Sequence, residues 1–275
     1  MRKTLSLLTL ALSAAFGSQA QAHDRLVHVD HQCSFRTDYD VRVDAAGVAF
    51  SRDNGAPTKV FMHDGELRVD GRAMPVSAAD AARLRDYERS VRALLPEVAG
   101  IAREGLDIGF SALTTVATTF AEDGEERSRL LERFNRDHAK ALSRIDAGLG
   151  SGVWTQHDIG DTLGDSVEGA VSELVSTVTA GAVKAALSGD ETRIAALEAR
   201  ADSLDKTIEK EVDARADQLE VRAQALCPKL ATLDQLQQQL EFRLPNGAAL
   251  QLIGHEPDRD TEHDRDLGKD KVAAR

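Results

Sequence analysis

The sequence predicts an α+β protein, with a small antiparallel β-sheet built from both chain ends and a large helical-hairpin region inserted between them. Three observations carry this. From residue 33 to Pro75 polar and apolar residues alternate with a period of two, as in Tyr39-Asp40-Val41-Arg42-Val43. From Ser77 to about Leu240 the apolar spacing changes to three and four. After the turn Pro245-Asn246-Gly247, an apolar run returns over residues 248–253.

Residues 1–22 read as a secretory signal peptide. Arg2 and Lys3 supply the positive start, residues 5–16 are apolar, and Ala20-Gln21-Ala22 offers small residues to a signal peptidase. The apolar run is too short to anchor in a bilayer core of about 30 Å. Cleavage after Ala22 is therefore expected, with the periplasm as destination. Loss of Arg2 and Lys3 takes the net charge from -12 to -14. No later stretch is an uninterrupted apolar run of spanning length, so no membrane span is expected in the mature chain.

Residues 23–76 form the expected N-terminal β-meander of four or five short strands. Asp44-Ala45-Ala46-Gly47, His63-Asp64-Gly65 and Asp70-Gly71 are its turns, since Gly tolerates a positive φ. Residues 77–240 are expected to be helical. Ser77 with Asp80 resembles a capping box, and Leu84, Tyr87, Val91, Leu94 and Leu95 follow on one stripe. Pro96 is expected to open the next helix, which runs to Phe120. A third helix is expected over residues 124–147. Five glycines around Trp154 predict an irregular hinge over residues 148–165, and a small-residue helix follows over residues 166–187.

A long polar, coiled-coil-like helix is expected over residues 191–227. Ile194, Leu197, Ala201, Leu204 and Ile208 keep heptad spacing; the stripe then jumps by four to Val212 before Leu219, Ala223 and Leu226. At about 1.5 Å rise per residue such a helix is near 50 Å long. Either it packs in an antiparallel hairpin, for which the chain supplies partners, or it presents Ile194, Leu197, Leu204, Ile208, Val212 and Leu219 as an interaction face. Residues 241–253 are expected to form a β-hairpin joining the sheet, and residues 254–275 a disordered charged tail.

Composition narrows the function classes. A chain with 42% apolar residues can bury a core, while a net charge of -12 disfavours a nucleic-acid binder, which needs a Lys/Arg face against phosphates. Aromatic residues are only 4%, too few for stacking platforms. The two cysteines, Cys33 and Cys227, rule out multi-cysteine zinc and iron–sulfur sites. In an oxidising compartment such a pair is expected to form a disulfide, the alternative being two free thiols. The bridge would close a loop of nearly two hundred residues, for which chain entropy allows about 5 kcal/mol.

Catalytic signatures are missing. There is no G-x-S-x-G elbow, no H-E-x-x-H helix and no phosphate-binding Walker loop. No catalytic residue and no cofactor is therefore assigned. His28, His31 and His63 are the candidate metal ligands for an alternative reading as a metal-dependent or hydrolytic periplasmic enzyme. The small-residue helices around residues 105–120 and 167–187 allow a third reading, a lipid-binding protein.

Gln32-Cys33-Ser34 soon after a signal peptide, β-structure to about Pro75, Asp86-Tyr87, Arg92, Leu95-Pro96 and the late Cys227 before a Leu-rich helix together resemble the YggN family. Those are proteobacterial periplasmic proteins of unknown function. The resemblance implies the compartment and the pairing of Cys33 with Cys227, and brings no catalytic residues. The function expected from the whole is a non-enzymatic binding or interaction protein of the cell envelope, with an envelope protein or peptide as partner.

Overall fold

The structure is a computed structural model; it describes residues 35–255, except Asp190 and the side chains of residues 156–166. The predicted signal peptide, His28, His31, Cys33 and the charged tail from residue 256 lie outside the described residues.

The α+β class is observed. β1 (Phe35–Arg36) is followed by an antiparallel meander of β2 (Asp40–Asp44), β3 (Gly47–Ser51), β4 (Lys59–His63), β5 (Glu66–Val69) and β6 (Arg72–Met74). Alternation places Val41, Val48, Phe50, Val60, Met62, Leu67 and Val69 in the core, as the period of two requires. The turn at His63-Asp64-Gly65 is tucked under the first helix. Gly65 has φ of +83°, and a Cβ there would stand 2.7 Å from the Ala81 carbonyl oxygen.

α1 (Ala78–Phe120) covers this sheet with Leu84, Tyr87, Val91 and Leu95. The Ser77 hydroxyl accepts the Asp80 amide at 3.0 Å, as an N-cap should. Two helices broken at Pro96 were expected; one continuous helix of 43 residues is observed, with Pro96 inside it. Proline removes one backbone hydrogen bond and crowds the preceding turn, at a cost of about 3 kcal/mol. Burial of Leu95 and Ala99, on either side of Pro96, against the sheet and the later helices offsets that cost.

α2 (Gly124–Ala147) matches its expected bounds. Asp123 accepts the Glu126 amide and Glu126 accepts the Glu122 amide, each at 2.8 Å, and this reciprocal pair fixes the helix start. The expected hinge over residues 148–165 is shorter than the glycine content suggested. A single 3-10 turn, Leu149–Ser151, leads into β7 (Val153–Trp154), and α3 (Gln156–Ser188) starts at once. β7 pairs with β2 and completes a six-stranded sheet in the order β6-β5-β4-β3-β2-β7. Gly152 makes this junction: its φ is +87°, its carbonyl accepts the Val43 amide at 2.7 Å, and a Cβ would meet the Val43 oxygen at 2.4 Å.

The long polar helix is also interrupted. α4 (Glu191–Ile208) passes through a π-helical turn, Glu209–Asp213, into α5 (Ala214–Gln224). The turn sits where the apolar stripe jumps from Ile208 to Val212. A wider turn takes up the change of register, so that Val212 stays buried while α5 continues along α1. α6 (Cys227–Gln238), with Pro228 in its first turn, then returns beside α1.

The expected C-terminal β-hairpin over residues 241–253 does not form, and the six-stranded sheet takes its second edge from β7 rather than from the chain end. Only the turn survives, with the Leu244 amide donating to the Ala248 carbonyl at 2.9 Å. Two buried side chains replace the missing ladder. Asp80 accepts the amides of Glu241 and Phe242, and Gln237 accepts those of Leu252 and Ile253. The two ends of the described stretch pair in a separate two-stranded ladder between β1 and β8 (Gly254–His255), a strand that begins where the tail was expected.

Candidate functional site

The predicted interaction stripe lies in the seam of a helical hairpin. α1 and the α4–α5 unit run antiparallel: Leu197 lies beside Phe120, Leu219 beside Gly105, and Arg222 pairs with Glu104. Gly105 permits this approach, since a Cβ there would stand 3.4 Å from Leu219 Cδ2. Leu197, Leu204, Ile208 and Leu219 are half-buried, Val212 is buried and Ile194 is exposed at the end. Of the two arrangements open to this helix, the hairpin is the one observed, and it uses most of the stripe.

The face left open belongs to α3, and the spacing of its residues explains why. Ala170, Leu174 and Ala185 turn inward against α1, α2 and α4 and are buried. Its charges bind sideways: Arg133 of α2 reaches Glu173 at 2.8 Å, and Lys184 reaches Glu122 at 2.8 Å. The Lys184 ammonium beside Glu122 holds that carboxyl below the usual range. On the outer side Val171, Val175, Val183 and Leu187 are 41%, 57%, 51% and 83% exposed. With Thr179 they form one row at intervals of four, beside exposed Ser172, Ser176 and Ala180.

From the sequence this helix is expected only as a small-residue helix that allows a lipid-binding reading. The signal for the outer face was present, in a helix with few charges and apolar residues on more than one side. Which side the bundle would cover was not. Val167–Ser188 also has the length and composition of a bilayer-crossing helix, with a mean hydropathy of 1.3, yet only 17% of it is buried. The bundle thus leaves an apolar strip of α3 exposed.

Two other regions bear on chemistry. A cleft of about 330 Å³ lies between Arg52, Pro57 and the stretch from Leu252 to His255. Arg52 stacks over the Tyr39 ring at 4.4 Å and donates to the Pro57 and Ala56 carbonyls at 3.0 and 2.7 Å, so its guanidinium mainly braces the loop. A smaller cleft of about 120 Å³ separates Phe120, Val178 and Leu197. It holds only a few water volumes, far short of an acyl chain.

His63 stands at the β4–β5 turn, half-exposed, with Nδ1 3.4 Å from Glu88 Oε1. Glu88 also receives Arg92 at 2.6 Å and the Asp64 amide at 2.9 Å, which ties two strand turns to α1. Burial works to raise the Glu88 pKa, but Arg92, the Asp64 amide and His63 together hold it below the ordinary value. Among the described residues no three His, Cys, Asp or Glu side chains come together as a metal site. His138 Nε2 lies 2.7 Å from Asp107 Oδ1, within hydrogen-bond distance, and the ring packs against Phe110, a contact between α2 and α1.

No curated protein and no solved structure matches the chain. The model of a family of proteins of unknown function, DUF2884, matches residues 33–253, and the chain belongs to that family.

Proposed function

We propose that the protein is a non-enzymatic interaction protein of the periplasm, exported with cleavage after Ala22, which docks an apolar helical segment of an envelope protein on the outer face of α3. One observation carries this: an uncharged row of exposed apolar side chains on a helix that is seated through Ala170, Leu174 and Ala185 and tied by ion pairs to Arg133 and Glu122. The export signal and the resemblance to the YggN family support the compartment. An oxidising compartment in turn supports a Cys33–Cys227 bridge, with Cys227 at the start of α6.

Apolar residues at intervals of four suit helix-on-helix recognition, because they form one ridge along a helix surface. A lipid surface is a poorer fit, since interfacial helices rely on a Lys/Arg collar and Lys184 is already paired with Glu122. The test is capture from envelope extract, with wild type compared against Val175→Glu and Val183→Glu. A partner retained by wild type and lost by both variants is expected; identical recovery with all three would overturn the proposal. Protein sequencing of the exported chain should begin at His23, and an intact residue 1–22 segment would remove the compartment from it.

A further inference from the structure

We propose that the cleft between Arg52 and the stretch from Leu252 to His255 binds the carboxyl-terminal end of an extended peptide, at a site separate from α3. Unpaired main chain is the first support. From Ala249 to Leu252 exposed and buried residues alternate, with Leu250 and Leu252 inward, as along a strand. Yet this stretch joins neither sheet. The amides of Leu252 and Ile253 reach Gln237, and the Ala248 amide reaches Asn246. Among the described residues, the main-chain groups of Ala249, Leu250 and Gln251 have no hydrogen-bond partner. Donors and acceptors repeating along an extended backbone are what a second extended chain satisfies, by strand addition.

Charge names the end of that chain. Arg36, Arg52 and His255 line the cleft against a single acid, Asp38, in a protein whose acids outnumber its bases by 46 to 34. Arg52 is held in place before any ligand arrives. Its Nε donates to the Pro57 carbonyl at 3.0 Å and its Nη2 to the Ala56 carbonyl at 2.7 Å, above the Tyr39 ring. Tyr39 is itself fixed, buried and donating through its hydroxyl to Pro57 at 3.0 Å. Arg52 Nη1 has no acceptor among the described residues, which leaves one positioned guanidinium nitrogen for a carboxylate.

Size agrees with a chain end. The cleft, about 330 Å³, is at the small end of ligand pockets. Three extended residues, the length from Ala249 to Gln251, span about 10 Å. The site therefore takes a few terminal residues and not a long segment. Ala56, Pro57, Ala248 and Ala249 give its walls small side chains, so main-chain bonds and the carboxylate set the affinity.

Amide NMR of the mature, oxidised chain, titrated with N-acetyl-tetra-alanine, tests the site. Saturable shifts are expected at Ala249, Leu250 and Gln251. The same peptide ended by a carboxamide should bind at least about tenfold more weakly, having lost a charge-assisted hydrogen bond. A version N-methylated along its backbone, without main-chain donors, should also bind more weakly, and sodium acetate at equal concentration should not reproduce the shifts. Arg52→Gln should erase the preference for the free carboxylate; if that chain fails to fold, the comparison of peptides on wild type decides. Amides at residues 249–251 that do not respond, acid and carboxamide binding alike, an N-methylated peptide binding as well as its parent, or acetate alone giving the same shifts would each overturn the proposal. Val175→Glu should bind the peptide as wild type does, so that failure of docking on α3 and failure of this site are read separately. Loss of peptide binding in that variant would likewise overturn the assignment to the cleft.

Discussion

Asp80, in the first turn of α1, accepts the backbone amide of Glu241 at 3.0 Å, across 161 positions of the chain. The same carboxylate accepts the Phe242 amide at 3.0 Å and Arg83 at 2.9 Å. A buried acid thus stands in for a strand at the point where the C-terminal segment enters the core.

Asp80→Ala should be among the most destabilising single changes, by about 3 kcal/mol, because it leaves two backbone amides without their acceptor in a buried setting. Asp80→Asn retains one acceptor oxygen and should cost less. Urea denaturation of the three proteins checks the order; an alanine variant as stable as wild type would contradict this role.

Two buried carboxyls should contribute to unfolding by acid. Burial raises the Asp80 pKa, but the Glu241 amide, Arg83 and the Phe242 amide together hold it below the ordinary value, and Glu88 is held down by Arg92, the Asp64 amide and His63. A pKa lowered by folding contributes stability that is full above the unfolded carboxylate range, near pH 4, and is lost as pH falls through the folded value. Wild-type stability should therefore decline below about pH 4. The double variant Asp80→Asn with Glu88→Gln should show a flatter acid limb, read as urea midpoints against pH.

Gln237 makes the matching clamp at the other end of this segment. Its Oε1 accepts the Leu252 and Ile253 amides at 2.9 and 3.2 Å, and its Nε2 donates to the Ile253 carbonyl at 2.5 Å. Gln237→Leu should cost about 2–3 kcal/mol and open residues 241–255 to proteolysis before the rest of the chain. Limited digestion with mass mapping reads this directly. Cleavage spread evenly along the chain would argue against a local clamp.

Gly152→Ala tests the β7 junction. Its Cβ would fall on the Val43 oxygen at a φ of +87°, so about 2–4 kcal/mol of destabilisation is expected. Amide exchange should quicken first at Val43, whose bond to Gly152 is lost.

Charge placed in the helical seam and on the open face should have opposite consequences. Ile208→Glu places a carboxylate at a half-buried position of α4, which packs along α1, and should lower stability by about 1–2 kcal/mol. Val175→Glu, on the exposed row, should stay within about 0.5 kcal/mol of wild type. Thermal melts of both, at one protein concentration, separate the seam from the surface.

The meander, the start of α1 at Ser77 and the bounds of α2 were legible because their signals are local. Period-two alternation, an N-cap hydroxyl and the Asp123–Glu126 pair act within a few residues. The jump from Ile208 to Val212 was equally plain, and a π-helical turn stands there. Continuity of α1 through Pro96 was not legible, since packing along the whole helix outweighs a local penalty.

The C-terminal segment was misread for a similar reason. Its apolar run and its turn describe a hairpin, but its amides find acceptors on Asp80 and Gln237, which no local pattern links to it. The candidate site divides in the same way. Residue spacing by itself determined that α3 is apolar on several sides and that the stripe from Ile194 to Leu219 faces something apolar. Only the tertiary structure decided that α1 takes that stripe while the row from Val171 to Leu187 stays open. The physical reason is that burial depends on which surfaces compete for one another across the chain, and periodicity names the surfaces without pairing them.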